Sequence, residues 1–171
     1  MFGRYRKKED GSTAVEFAIV GVPFVFAIIG LVEVSLMYTA NSLLQNSTSS
    51  AARLIRTGQV QQNQSDPEAM FRDELCRVAS TFLNCNRVQY EVITLSGFGD
   101  VDTVPPVIDQ NGNLVSQGFN PGGVGDVVLI RTVYLFPLMT PFIGLLLADS
   151  PGQTKFMMSA SVLQTEPYDF E

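Results

Sequence analysis

Residues 14–40 form an almost unbroken apolar stretch, and none of residues 17–32 is charged or strongly polar. A helix needs about 20 apolar residues to cross the hydrocarbon core of a bilayer. The uncharged run of sixteen residues is short of that alone and reaches spanning length once Ala14, Val15 and residues 34–40 join it. Arg4, Arg6, Lys7 and Lys8 crowd the start of the chain, the mark of a cytoplasmic flank under the positive-inside rule. Pro23 lies inside the run and removes one backbone donor, which a membrane helix tolerates. The small residues Ala18, Gly21, Ala27 and Gly30 do not make a clean small-xxx-small repeat, so they signal helix packing only weakly.

Composition excludes several functions. The chain has 171 residues and a net charge of -6, and beyond Asn41 acidic residues outnumber basic ones. An acidic body does not suit nucleic acid, whose phosphates require clustered Lys and Arg. There is no histidine, hence no ordinary general base near neutral pH and no common zinc site. No cofactor, metal or catalytic residue is expected. Hydrolysis by carboxylates alone is a remote alternative, for which Asp100, Asp102 and Asp109 would be needed; acids in a loop are normally solvated surface.

Two acids interrupt the apolar stretch. Glu33 is expected at the outer interface, where its carboxylate reaches water. Glu16 stands directly before Phe17 at the inner edge, where an unpaired charge is costly. Thr13 and Glu16 have capping-box spacing, and an acid in the first turn suits the helix dipole; that reading alone accounts for Glu16. The surrounding string carries a second one. A basic leader ends in Gly11, Ser12 follows, and Glu16 is the fifth residue after the glycine.

This arrangement resembles the processing site of type IV pilin-like proteins, where a prepilin peptidase cuts after the glycine. More narrowly, the first third of the chain resembles the TadE-like minor pseudopilins of tight-adherence (Tad/Flp) pili. The matching features are AVEFA at residues 14–18, Pro23, Glu33, Ala51-Ala52-Arg53 and Thr57-Gly58. The resemblance implies cleavage between Gly11 and Ser12, with Glu16, beside Phe17, pairing with the freed amine of a neighbouring subunit to set register; pairing with the amine of its own chain is the alternative. It implies prepilin peptidase, other minor pilins and major pilins as partners in a hetero-oligomer. It also implies an inner-membrane protein with a cytoplasmic N-terminus and a periplasmic domain, incorporated in a surface pilus. Major pilins of that system are far shorter, so an assembly role is expected. The alternatives are a type II secretion pseudopilin, an unprocessed single-pass anchor for a periplasmic binding or sensor domain, and a cleavable signal peptide. Against the last, the apolar run exceeds an ordinary h-region.

The expected division is a leader over residues 1–11, a membrane helix over 12–40, its periplasmic continuation over 41–57, a polar linker over 58–65 and an α+β domain over 66–171. Leu43, Leu44, Ala51, Leu54 and Ile55 recur at helical spacing. One helix from Ala14 to Thr57 would run about 66 Å, too long for a bilayer alone, so its second half must pack on the domain. Gly58 ends it. Asp66-Pro67-Glu68 starts a second helix, with Phe71, Leu75, Val78 and Phe82 as its buried face. Strands are expected over 88–95, 126–136 and 156–164, in an antiparallel sheet of three or four. Asn111-Gly112 can turn a small hairpin, and Gly122-Gly123-Val124-Gly125 lacks the ending of a phosphate loop. The long stretch 97–125 is a candidate partner surface, and 137–148 is a helical excursion too short to span, either buried in the domain, lying on the membrane or packed against a neighbouring subunit. Cys76 and Cys85 fit a disulfide in an oxidising compartment; two free buried thiols are the alternative, because spacing does not establish bridge geometry.

Overall fold

The computed structural model describes residues 10–63 and 65–167. Its fold is α+β: a long helix and a shorter one cover one face of a three-stranded antiparallel sheet of order β1-β2-β3. Helix α1 runs unbroken over Asp10–Arg56, with Pro23 inside it. Gly58, at φ 75°, supplies the left-handed residue that ends it, its N–H donating to the Ile55 carbonyl. The expected linker holds one helical turn, α2 (Gln59–Gln62), which buries Val60. Helix α3 (Pro67–Ala79) starts as its capping signal dictates, the Asp66 carboxylate accepting from Ala69 N–H at 2.9 Å. A 3-10 turn (Cys85–Arg87) leads into β1 (Gln89–Leu95), another (Phe98–Thr103) follows it, and β2 (Val127–Pro137), α4 (Pro141–Leu147) and β3 (Thr154–Gln164) complete the order.

Only the second half of α1 belongs to the domain. Ala40, Leu44, Ser47, Thr48, Ala51, Ala52 and Ile55 are buried, a stripe at helical spacing in which small residues let the helix lie close to β2 and β3. Ser47 and Thr48 donate to the Leu44 carbonyl at 2.8 and 2.7 Å, so neither buried hydroxyl goes unsatisfied. Toward the far end of α1 the core joins Ala51, Ala52, Ile55 and Val60 to Phe71 and Leu75 of α3 and to Val92, Val128 and Ile130 of the sheet. Phe71 is fully buried, tilted against Tyr90 and Phe119 with ring centroids 5.4 and 5.5 Å away. Toward the near end it joins Ala40 and Leu44 to Ala79, Leu83, Tyr134, Phe136, Leu138 and Met157. Phe82, expected in the core, is exposed and Leu83 buried instead. Helix α3 stops at Ala79, and the following turn, with Leu83 N–H donating to the Ala79 carbonyl, rotates the periodicity by one residue.

The other face of the sheet is covered in part by the long connection, whose outward side stays exposed at Phe98, Val107, Val115 and Val124. Val101 and Val104 pack on a small cluster of Leu95, Val127 and Leu129. Residues 118–120 lie beside β1, with Val92 N–H donating to Gly118 O (3.1 Å) and Asn120 N–H to Val92 O (2.8 Å). The expected hairpin forms: Ile108 bridges Leu114, with Gly112 at φ 83°. Beneath this cover Glu91 and Arg131 are cross-strand partners, both almost wholly buried and 2.8 Å apart. Glu91 also accepts from Gln117 N–H at 3.1 Å, and Arg131 donates to the Val104 carbonyl. One buried ion pair thus holds down two points of the connection.

Cys76 and Cys85 are joined in a disulfide, their Cα atoms 5.6 Å apart. It fastens the last turn of α3 to the turn that leads into β1. Of the two options left by the spacing, the structure contains the bridge.

Candidate functional site

The feature that stands outside ordinary domain packing is the first half of α1. Residues 13–29, Gly21 apart, are all exposed, including Phe17 (77%) and Val20 (70%). Water would oppose such a surface: each large apolar side chain left exposed forgoes about 1.5–3 kcal/mol of burial. The helix has the length and composition to cross a membrane, and its most apolar window is not buried in the domain. Toward the end nearer the domain Ser35 and Thr39 donate to the Leu31 and Ser35 carbonyls at 2.7 and 2.8 Å. Their hydroxyls are satisfied within the helix and demand nothing of an apolar surrounding.

Gly11 and Ser12 lie in the first turn of α1, their backbone helical. The basic leader, with Arg4, Arg6, Lys7 and Lys8, lies outside the described residues. Glu16 and Phe17 are adjacent, both exposed on the domain-free part of the helix. The aromatic ring of Phe17 lies over Gly21, about one turn on, where an added Cβ would meet it at 3.5 Å. Glu16 therefore sits about 26 Å along the helix from Glu33, one acid at each end of the exposed apolar surface.

Glu33 departs from expectation. It does not reach water: the residue is 5% exposed. Its Oε1 accepts from Met139 N–H at 2.6 Å and from Thr140 N–H at 3.1 Å. Both amides lead into α4, where the backbone has no helical partner to offer them and Pro141 brings no N–H of its own. The carboxylate thus clamps α4 to α1 at the point where the helix leaves the domain. Nearby, Ile143 touches α1 at Gly30, where an added Cβ would stand 3.0 Å from its Cδ1. Burial of Leu145-Leu146-Leu147 is only partial; Leu145 and Leu146 are 72% and 76% exposed. The Glu33 clamp joins residues 106 positions apart, and an acid in an apolar run was the only sequence signal for it.

Among the described residues no group of three or more His, Cys, Asp or Glu side chains could hold a metal ion. Asp109 is spent on the hairpin, accepting from Asn111 and Asn113 N–H at 2.8 Å each. Those bonds, Asn113's backbone amide foremost, hold its carboxyl below the usual range, the opposite of what a general acid needs. Glu74 is likewise a structural acid: the Arg77 guanidinium, followed by the Ser50 hydroxyl of α1, lowers its carboxyl to about 2. On the other side of α3, burial first and then a hydrogen bond to Glu68 push the Tyr90 phenol up to about 12.

Residues 11–53 match the family model described as TadE-like protein. No curated protein and no solved structure matches the chain. The matched segment takes in the exposed apolar half of α1 and ends within the part that packs on the sheet.

Proposed function

We propose that this chain, TadE-like over residues 11–53, is a minor pilin-like subunit of a Tad-type pilus, anchored in the inner membrane by α1 and carrying its α+β domain on the periplasmic side. The observation that carries this reading is one continuous helix, apolar and exposed for its first half and core-forming for its second. Such a helix is suited first to lipid and then to the interior of a filament, where the same apolar surface packs against neighbouring subunits. A disulfide supports an oxidising compartment for the domain.

Processing follows in the same reading. Prepilin peptidase removes residues 1–11 by cutting after Gly11, leaving Ser12 with a free amine, ordinarily of pKa about 7.7–8 and so mostly cationic at neutral pH. An ammonium and the Glu16 carboxylate make each other tolerable at the membrane edge, where either alone would be expensive. Pairing between neighbouring chains sets their axial register, with Phe17 packed beside it. Other minor pilins and the major pilin are the partners. A type II secretion pseudopilin or an unprocessed anchor for a sensor domain would share the helix but not this assembly.

The test is recovery of the protein with sheared pili. Glu16→Ala is expected to insert in the membrane at wild-type level and to be lost from the pilus or its initiating complex. Normal assembly of that variant would reduce Glu16 to a helix cap and remove the register role.

A further inference from the structure

The loop carrying α4 packs against the membrane helix at a level where lipid should be. Helix α1 rises about 1.5 Å per residue, so a span starting at Ala14 covers about 30 Å of hydrocarbon by Glu33. Gly30, against which Ile143 packs, lies inside that distance. On this reading of α1 as the anchor, the domain does not stand clear of the bilayer. We propose that α4 is a membrane-dipping element, with Met139, Leu145 and Leu146 inserted in the outer leaflet of the bilayer beside α1.

Three observations favour lipid as the occupant. First, Met139, Leu145 and Leu146 are 77%, 72% and 76% exposed; Met139 lines an apolar groove together with Val32 of α1, and Ile143 of α4 lies against Gly30. The apolar band of the span and the face of α4 form one surface, and what covers the first covers the second. Secondly, residues 137–148 contain no charge. The first acid beyond them, Asp149, is paired with Lys155 at 2.6 Å and accepts from Phe156 N–H at 2.7 Å. Thirdly, five backbone N–H groups of this segment find their acceptors inside the protein, as hydrocarbon favours. Leu138 N–H donates to Gln153 O, Met139 and Thr140 N–H to Glu33, Gly144 N–H to Thr140 O and Ala148 N–H to Gly144 O. The Glu33 clamp then acquires a purpose: it brings an acceptor to two amides at a depth where water is absent. An interfacial helix held this way fixes the tilt and depth of the domain over the span.

The chain has no tryptophan, so single-tryptophan variants report depth directly. Leu146→Trp, Val124→Trp and Phe24→Trp of the full chain are reconstituted in phosphatidylcholine vesicles at high lipid-to-protein ratio. Lipids brominated at shallow or deep acyl positions serve as quenchers. Val124 is exposed next to β2's start, at the end of the domain remote from α4. Expected are blue-shifted emission of Leu146→Trp with quenching by shallow bromines, strong quenching of Phe24→Trp by deep bromines, and unquenched, water-like emission of Val124→Trp. A quenched Phe24→Trp with an unquenched Leu146→Trp would overturn the dipping element and leave the anchor intact. Blue-shifted emission of Leu146→Trp without bromine quenching would also overturn it, since protein and not lipid would then cover α4. No quenching at Phe24→Trp would strike the anchor itself.

Discussion

Replacing Glu33 by alanine should free α4 without unfolding the domain. The carboxylate, on a residue 5% exposed, accepts the backbone N–H groups of Met139 and Thr140 at 2.6 and 3.1 Å. Hydrogen bonds to a charged group are worth about 1.5–3 kcal/mol each, so about 3–6 kcal/mol of interaction is lost. Against this stands the relief of no longer burying a carboxylate, which costs several kcal/mol before its partners are counted. Its Oε2 is buried without a hydrogen-bond partner among the described residues, so that relief is real. The loss is also capped, because α4 can swing away and let water reach both amides. A net loss of about 2–3 kcal/mol in local stability is reasonable, equivalent to about 30- to 150-fold faster exchange of the affected amides.

Hydrogen exchange read by mass spectrometry on the detergent-solubilised chain provides the assay. Peptides spanning residues 138–148 should exchange faster by that factor in Glu33→Ala, while peptides within β2 stay unchanged. Glu33→Gln keeps an oxygen for the two amides, and neutral bonds are roughly half as strong as charged ones, so its effect should fall between. Exchange of 138–148 within twofold of wild type in Glu33→Ala would refute the clamp. Equal acceleration throughout the domain would show that Glu33 supports the whole fold instead.

Three further outcomes test the packing. Glu91→Leu leaves Arg131 buried without its carboxylate and should cost about 3–5 kcal/mol in urea unfolding, whereas Glu91→Leu with Arg131→Met should recover most of it; equal losses would contradict the pairing. Glu74 has its carboxyl lowered from 4.5 to about 2, so its contribution is fully present above pH 4.5 and disappears as pH falls toward 2. With Arg77 largely exposed, that contribution is about 1 kcal/mol, and the stability gap between wild type and Glu74→Gln should close across this window; a gap independent of pH would count against the ion pair. Cys76→Ser with Cys85→Ser should lower stability by about 2–3 kcal/mol for a loop of this length, and reduction should do the same to wild type; two thiols reactive in the unreduced protein would contradict the bridge.

Much of the fold was legible in the sequence because its signals are local. Asp66-Pro67 announces α3, Gly58 ends α1, and the strands expected over 88–95 and 126–136 lie within a residue or two of β1 and β2. The stripe of α1 facing the sheet was read only in part. Leu44, Ala51 and Ile55 are in it, but so are Ala40, Ser47 and Thr48, small or hydroxylated residues that carry little hydrophobic signal. Leu43 and Leu54, which do carry it, are only half-buried.

The long-range features were not legible. Glu91 and Arg131 are 40 positions apart in sequence, and nothing local reveals which acid meets which base until strand register is known. The stretch 97–125 has no period because it closes over a sheet through individual backbone bonds. Glu33 looks from sequence like an interfacial acid, since its partners are main-chain amides of α4 and main-chain groups leave no mark in composition. The N-terminal motif is the reverse case: Gly11, Ser12 and Glu16 are legible as a pattern, and the chemistry proposed for them depends on a covalent cut rather than on packing.

The central claim is that this is a pilin-like chain trimmed at Gly11, and intact-mass measurement of the protein from cells with and without an active prepilin peptidase tests it most directly. With the enzyme, the mature chain should begin at Ser12 and lack residues 1–11; without it, the leader should remain. A leader retained in both cells, or a start near Asn41, would contradict the account.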